Sequence, residues 1–549
     1  MSETLQKRFL IAAILLAVFN VLGFNHLLEL MAEEPRRSII AIEMLWSGDF
    51  AIPHIYEEIY YNKPPLYNWL IAASMYLFGT GEWAARLPGA LSFLLTGFIL
   101  FKIASRHLSH KVSLFVAFAY ITSIDLLFYG SVNTAEIDIF YSLITVLQVY
   151  AIFHYKQSGN YLKLFVVSYL LAAIGVLTKG IPTIAFQGLT LLGYFIATKS
   201  FGKLFSWKHL VGCSVFLVVV VGYLYYFSLY EDVWALLSQQ FQEASQRSAN
   251  ETSILDLIKN LFLFVFILIQ KLLPWSILGL FFFYKSVRKQ LIENKLLYFS
   301  LVFILANILI YWTALDLRTR YIYMFFPFLI LLVGAGIDKV NWEDKIPTRI
   351  LQFFLFLIIV APLALIALPF IIDNTSVLTF IIVILIISAL VFNSYITIKN
   401  KSHDQIIWSL IIALLLSRLA FNALVMPKMT ELSSRMHYRK TISELVEHSG
   451  GKEIMLAGPI STGYPKISFF GEVFYEDVLN YPTEVTFKIP YYYAHQTGKI
   501  IKYAPELNSK AVNYITYEKF LNRYPEEKDT LYRFFNEYNS EYIVLFSLK

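Results

Sequence analysis

Apolar residues in this chain gather into long runs separated by short polar stretches. Thirteen such segments stand out, over 9–28, 86–102, 112–129, 136–153, 163–178, 181–198, 210–230, 257–284, 296–314, 320–337, 350–371, 377–396 and 405–425. A helix rises about 1.5 Å per residue, so about 20 apolar residues cross about 30 Å of hydrocarbon. The pattern therefore predicts an all-α membrane domain of thirteen transmembrane helices. Segment 257–284 contains Pro274, which removes a helix hydrogen bond and predicts a kink or two shorter pieces.

The polar stretches orient the helices. If every segment crosses, seven stretches lie on the N-terminal side and carry 19 Lys and Arg residues, whereas the four short loops on the other side carry three, Lys179, Arg318 and Arg320. The excess of basic residues puts the N-terminus in the cytoplasm, and thirteen crossings put the C-terminus outside. Three outer stretches are too long for simple turns: 29–85, 231–256 and 427–549. The last has strand-like runs at Glu453–Ala457 and Tyr542–Phe546 and a helix-like run over Glu526–Tyr538, which predicts a small α/β domain outside the membrane. The expected division is a membrane domain over 1–426 and a soluble domain over 427–549.

Composition agrees with this class. Apolar residues make up 57% of 549 and charged residues 15%, against about half and about a quarter in soluble chains. A net charge of +6 gives no reason to invoke nucleic acid. One cysteine, Cys213, excludes an intrachain disulfide or a cysteine zinc site. The first apolar stretch, Phe9–Phe24, lacks a small-residue cleavage site and reads as an anchor. There is no P-loop, dinucleotide glycine fingerprint, GxSxG elbow or HExxH motif. No cofactor is required by the pattern; a divalent metal held by acids with a histidine stays open.

Candidate chemistry collects in the outer stretches. The first opens with Glu33-Glu34-Pro35-Arg36-Arg37. Pro35 suits a helix start and Gly48 its end. Ile39, Ile42, Leu45 and Trp46 form an apolar stripe, which predicts an amphipathic helix lying at the membrane surface. Its acids and bases suit a charged headgroup, or equally a helix cap with arginines reaching for lipid. Tyr60 to Trp69 follows, where Pro64-Pro65 fixes an extended backbone after Lys63. Lys63 beside tyrosines suits a phosphate contact or an interfacial aromatic belt. Arg86-Leu87-Pro88 opens the second segment. A short outer loop then carries Glu136 and Asp138, which would be costly facing lipid and are expected to face a polar cavity. Lys179, Asp316, Arg320 and Tyr321 sit at the same level. The one-sided mixture of acids, bases and tyrosines points to an outward-facing site.

In these residues the chain resembles the bacterial branch of family 39 of the GT-C membrane glycosyltransferases, which includes aminoarabinose transferases acting on lipid A and relatives of protein O-mannosyltransferases. The family pattern D-E-x-R-Y-A, E-M, K-P-P-L-x-x-W, R-L-P is matched in order by Glu33-Glu34-Pro35-Arg36-Arg37-Ser38, Glu43-Met44, Lys63-Pro64-Pro65-Leu66 with Trp69, and Arg86-Leu87-Pro88. Thr178-Lys179-Gly180, Pro274-Trp275 and Arg320-Tyr321 also fit. The resemblance implies inverting transfer of a sugar from a polyprenyl (undecaprenyl) phosphate carrier to lipid A, another glycolipid, a glycan or a protein, at the bacterial inner membrane with the C-terminal domain periplasmic. It implies a catalytic carboxylate at Glu33, with Glu34 able to share the role and Asp138 as second acid. Arg36 and Lys63 would hold the lipid phosphate, helped by Tyr60, Tyr321 and Arg320, with Glu136, Arg86 and Lys179 in secondary roles. Three positions depart from the pattern: Glu33 stands for aspartate, Arg37 for tyrosine, and Asn62 where the aminoarabinose enzymes tend to have an acid.

Two other classes compete. A transporter for an amphipathic solute would need charges near the bilayer midplane, where these segments are mostly clean. A surface-polysaccharide polymerase or ligase would also use a polyprenyl-linked sugar, but the Glu-Glu and Lys-Pro-Pro stretch directly after the first segment argues against it.

Overall fold

The computed structural model describes residues 3–128, 132–245, 254–312, 319–371, 377–400, 402–428, 437–457 and 488–549, apart from 505, 506, 508, 524–526 and 537–540. Among them, ten helices are long and apolar enough to cross a membrane, and they fall on ten of the thirteen predicted segments. The other three segments form shorter apolar helices, His110–Ile121, Pro182–Ala197 and Phe262–Lys271. The segment with Pro274 breaks as expected: helix Ile254–Lys271 ends before a cis Leu273–Pro274 bond, and a 3₁₀ helix continues over Trp275–Phe283. The chain is a multi-pass membrane protein.

Helix Tyr161–Lys179 packs against both Ile137–Gln157 and Trp207–Ser228. The second contact is close because Gly212 has no side chain; a Cβ there would lie 2.6 Å from Phe165 Cβ. Polar side chains inside the bundle bond between helices. Gln148 Nε2 donates to Gln187 Oε1 at 2.7 Å, and Asn307 Nδ2 donates to Thr190 Oγ1 at 3.0 Å. Such bonds are worth about 0.6–2 kcal/mol each in a bilayer.

The stretch after the first helix folds into helix Glu34–Ser47, a short hairpin of β1 (His54–Ile55) and β2 (Glu58–Ile59), and helix Leu66–Phe78. Pro35 starts the first of these helices and Gly48, with φ +74°, ends it, as the sequence predicts. The expectation of a helix lying at a membrane surface is corrected: every residue from Glu34 to Met44 is buried. Helix Leu66–Phe78 covers one side and helix Ile489–Thr497 of the C-terminal unit another, so charged and apolar faces are both inside protein. In the hairpin turn, Tyr56 and Glu57 take positive φ of 62° and 67°. Glu43 holds them there, accepting the Tyr56 N–H at 2.7 Å and the Glu57 N–H at 3.2 Å. Burial pushes the Glu43 carboxyl up to about 7.

The C-terminal unit is a mixed five-stranded sheet of β3 (Ile454–Ala457), β4 (Lys502–Ala504), β5 (Asn513–Tyr517), β6 (Lys528–Asn536) and β7 (Glu541–Leu548), in the order β4-β3-β5-β7-β6. Strands β3 and β7 coincide with the two strand-like runs. The run Glu526–Tyr538, expected to be helical, is instead edge strand β6 over its described part. Its pairing with β7 from Lys528 to Asn536 satisfies the backbone, and Leu531, Tyr532 and Phe534 pack on the core, so tertiary contacts override helical preference. That core is shared. Leu30, Ile39, Ile42 and Tyr67 cluster with Ile442, Leu445, Tyr491, Ile515 and Leu545, across the expected 426/427 division.

Candidate active site

Three elements end together. Helix Glu34–Ser47 begins beside Glu33; helix Ile137–Gln157 begins with Glu136 in the turn ahead of it and Asp138 in its first turn; helix Tyr161–Lys179 stops at Gly180, whose φ is +85°. Acids at helix starts and a lysine at a helix end suit the helix dipoles. The 3₁₀ turn Thr319–Phe325 adds Arg320 and Tyr321.

The side chains form a continuous network of charge. Glu33 grips Arg36 through both oxygens at 3.1 and 3.3 Å and keeps 21% of its side chain exposed. The Tyr60 phenol meets Arg36, and burial pushes its ionisation upward against the pull of Arg36 and Arg37. Arg37 Nε lies 3.9 Å from Glu136 Oε2. Glu136 pairs with Arg320 at 2.5 Å; burial outweighs the attraction of Arg320 and Arg37 and pushes this carboxyl up to about 7. Asp138 accepts from Lys179 at 2.5 Å and lies 3.7 Å from Arg320 Nε. Lys179 Nζ stands 4.9 Å from the ring centres of Tyr141 and Tyr321, a cation–π arrangement on both sides. Lys63, half-buried, sits in the irregular segment between β2 and the Leu66–Phe78 helix. Four cations, Arg36, Arg37, Lys179 and Arg320, face three carboxylates, a net excess of one positive charge.

Glu34 and Arg86 stand behind this network and are saturated. Arg86 Nε donates to Glu34 Oε1 at 2.8 Å and Nη2 to Oε2 at 2.9 Å, and both side chains are almost fully buried. Glu34 also accepts the Met31 N–H at 2.9 Å and the Ala135 N–H at 2.7 Å. Arg86 further donates to the carbonyls of Asn25, Leu28 and Glu29. Asp316 and Arg318 lie outside the described residues.

Several polar atoms here are buried with no hydrogen-bond partner: Tyr56 Oη, Asn62 Oδ1, Tyr67 Oη and both amide atoms of Asn68. Buried polar groups are usually satisfied, so such a group of orphans marks a place where ligand atoms or water belong. Tyr67 feels the charges of Arg37, Glu136 and Asp138, which ties it to the network. Sequence reading did not single out Tyr67 or Tyr141. Tyr141, three residues after Asp138 on one helix face, was findable by spacing; Tyr67 carried no signal beyond the aromatic-rich stretch around it. Among the described residues, no three acids, histidines or cysteines converge as a metal site requires.

Residues 62–226 match the family described as dolichyl-phosphate-mannose-protein mannosyltransferase. An undecaprenyl phosphate-alpha-4-amino-4-deoxy-L-arabinose arabinosyl transferase of Edwardsiella ictaluri is 28% identical over 214 residues, covering 38% of each chain. The Pseudomonas savastanoi protein of the same description is 28% identical over 195 residues, covering 34% of this chain and 35% of the relative. The chain thus aligns with little more than a third of the length of these relatives. In three dimensions, ArnT from Cupriavidus metallidurans, solved bound to undecaprenyl phosphate, superposes with a TM-score of 0.70 over 99% of this chain and 98% of that one, at 16% identity. Its apo structure gives a TM-score of 0.68. Ten helices long enough to span a membrane, a sheet-containing C-terminal unit and this superposition give the chain the fold of that aminoarabinose transferase, and its residues 62–226 are similar to the mannosyltransferase family.

Proposed function

We propose that the protein is an inverting glycosyltransferase that moves a sugar from undecaprenyl phosphate to an acceptor on the outer face of the bacterial inner membrane, with its N-terminus in the cytoplasm and its C-terminal unit in the periplasm. The acceptor is lipid A, another glycolipid, a glycan or a protein. The observation that carries this reading is the network Glu33–Arg36, Arg37–Glu136–Arg320 and Asp138–Lys179, gathered at the ends of membrane helices with a surplus of positive charge. A lipid phosphate leaving group develops negative charge, and preorganised cations stabilise it most where water is excluded. Arg36 and Lys63 are assigned to that phosphate, with Tyr60 and Tyr321 as hydroxyl donors and Arg320 holding the opposite wall.

In the reaction, an acceptor oxygen attacks the anomeric carbon from the face opposite the phosphate. The bond from that carbon to the phosphate oxygen breaks, and undecaprenyl phosphate departs with the bonding electrons, which inverts the centre. Where the acceptor is a hydroxyl, its proton passes to Glu33, the most exposed of the three carboxylates of the network. Where the acceptor is a phosphate, Glu33 orients it through Arg36. Asp138, held by Lys179, acts as the second acid. The buried pair Glu34–Arg86 positions the start of the Glu34–Ser47 helix.

The test is to purify the protein in native lipid and identify co-purifying polyprenyl phosphates by mass spectrometry. Wild type is expected to carry undecaprenyl phosphate or its sugar conjugate, and Lys63→Ala to carry at least about tenfold less, the loss expected for a charge-assisted contact of about 1.4 kcal/mol or more. Absence of such lipids from wild type, with other bound lipids retained, would overturn the reading.

A further inference from the structure

The residue ahead of Glu33 is strained. Ala32 has φ +51°, a left-handed conformation that residues with a side chain seldom adopt. Such backbone persists only when its surroundings hold it in place. Part of the hold is local, since Met31 N–H donates to Glu34. The rest comes from the C-terminal unit, more than 400 residues away in sequence. The phenol of Tyr492 accepts the Leu30 N–H at 2.9 Å and donates to Glu82 at 3.1 Å. Arg439 binds the same Glu82, at 2.6 Å from Nη2 and 2.7 Å from Nε. Glu29 in turn accepts the N–H groups of Tyr438 and Arg439 at 3.2 and 2.8 Å, at the start of helix Tyr438–His448. Segment 29–33 is thus tied at Glu29 and Leu30 to the soluble unit, and at Glu34 to Arg86.

We propose that Tyr492, braced by Glu82 and Arg439, is a positioning residue for the candidate site: it holds the strained Leu30–Glu33 segment and so fixes the Glu33 carboxylate against Arg36. This deepens the glycosyltransferase reading, which assigns Glu33 its role. It also gives the C-terminal unit a task at the site without requiring it to touch the donor. A ligand that shifted the helix Ile489–Thr497 would move Glu33 with it.

The experiment compares full-length wild type, Tyr492→Phe and Tyr491→Phe in lipid nanodiscs. Tyr491 sits on the same helix and makes an equivalent bond to the same outer stretch, its phenol donating to Thr80 O at 2.8 Å rather than accepting the Leu30 N–H as Tyr492 does. Hydrogen exchange over residues 31–37 is expected to be at least about tenfold faster in Tyr492→Phe and unchanged in Tyr491→Phe, with β3, β5 and β7 protected in both. Affinity for undecaprenyl phosphate, used as the probe, is expected to fall at least threefold in Tyr492→Phe alone, because loosening residues 31–37 displaces the backbone that carries Arg36, which a change confined to the Glu33 side chain leaves in place. Unchanged exchange over 31–37 in Tyr492→Phe, or equal loosening in the two variants, would overturn the proposal. So would faster exchange with unaltered affinity, given that wild type binds the probe. Exchange is read without substrate, so failure of the glycosyltransferase reading would leave the tether standing, and failure of the tether would leave that reading standing.

Discussion

Glu33→Gln is expected to lower sugar transfer by about 10²–10⁴-fold while undecaprenyl phosphate still binds. The substitution keeps the size and most of the shape of the side chain and removes the negative charge and the basic oxygens. Arg36 loses its carboxylate partner at 3.1 Å but keeps the Tyr60 phenol beside it, so the phosphate site gains net positive charge and is not dismantled. Binding of undecaprenyl phosphate should therefore stay within a few fold of wild type or tighten. Turnover should collapse if the acceptor is a hydroxyl, because no other carboxylate of the network is equally exposed. Asp138 is held by Lys179 and lies near Arg320, and Glu136 is held by Arg320. The measurement is single-turnover transfer with the donor lipid identified from the purified protein, set beside binding of undecaprenyl phosphate. Turnover near wild type would remove Glu33 from the chemistry and pass the role to Asp138. A modest loss, below about tenfold, would match an acceptor that is already an anion, with Glu33 only orienting it.

How far the sequence could lead differs from element to element. Runs of apolar residues located the membrane helices because crossing hydrocarbon demands length and hydropathy, and both are local properties. Length and hydropathy mark ten of the thirteen segments among the described residues, while His110–Ile121 and Pro182–Ala197 are shorter apolar helices and Pro274 divides another segment. The site was legible where charges cluster in short stretches, as in Glu33 to Arg37 and Glu136 to Asp138. It was not legible where partners are distant in sequence. Nothing near Glu34 indicates that Arg86 saturates it, and nothing near Leu30 indicates Tyr492. The amphipathic stripe of the Glu34–Ser47 helix suggested a lipid surface because a helix pattern reports one apolar face, not what covers the polar one. Here the charged side chains meet Tyr56, Glu57, Arg86 and Glu136, and the C-terminal unit shares a core with the apolar ones. Strand β6 misled for the same reason, since pairing with β7 is a property of the fold rather than of residues 528–536.

Arg86→Met is expected to destabilise the protein by about 3–5 kcal/mol, the cost of removing one partner of a buried ion pair. The argument rests on what is left behind. Glu34 would keep two backbone donors, the N–H groups of Met31 and Ala135, but its charge would lose both guanidinium bonds in a site almost closed to water. The carbonyls of Asn25, Leu28 and Glu29 would each lose a donor as well. Methionine fills much of the volume, so the loss is electrostatic rather than a cavity. The double variant Glu34→Gln with Arg86→Met should regain about half of the loss, because an uncharged amide is cheaper to bury than an unpaired carboxylate. Thermal unfolding in detergent micelles measures both. The same pair of variants decides between a structural and a catalytic Glu34. If the bonds around Glu34 describe its role, transfer by each variant should fall only in proportion to the folded fraction. A Glu34→Gln single variant that kept its unfolding temperature yet lost transfer would make Glu34 a reacting group, and the saturated geometry of its carboxylate would then have to open during turnover.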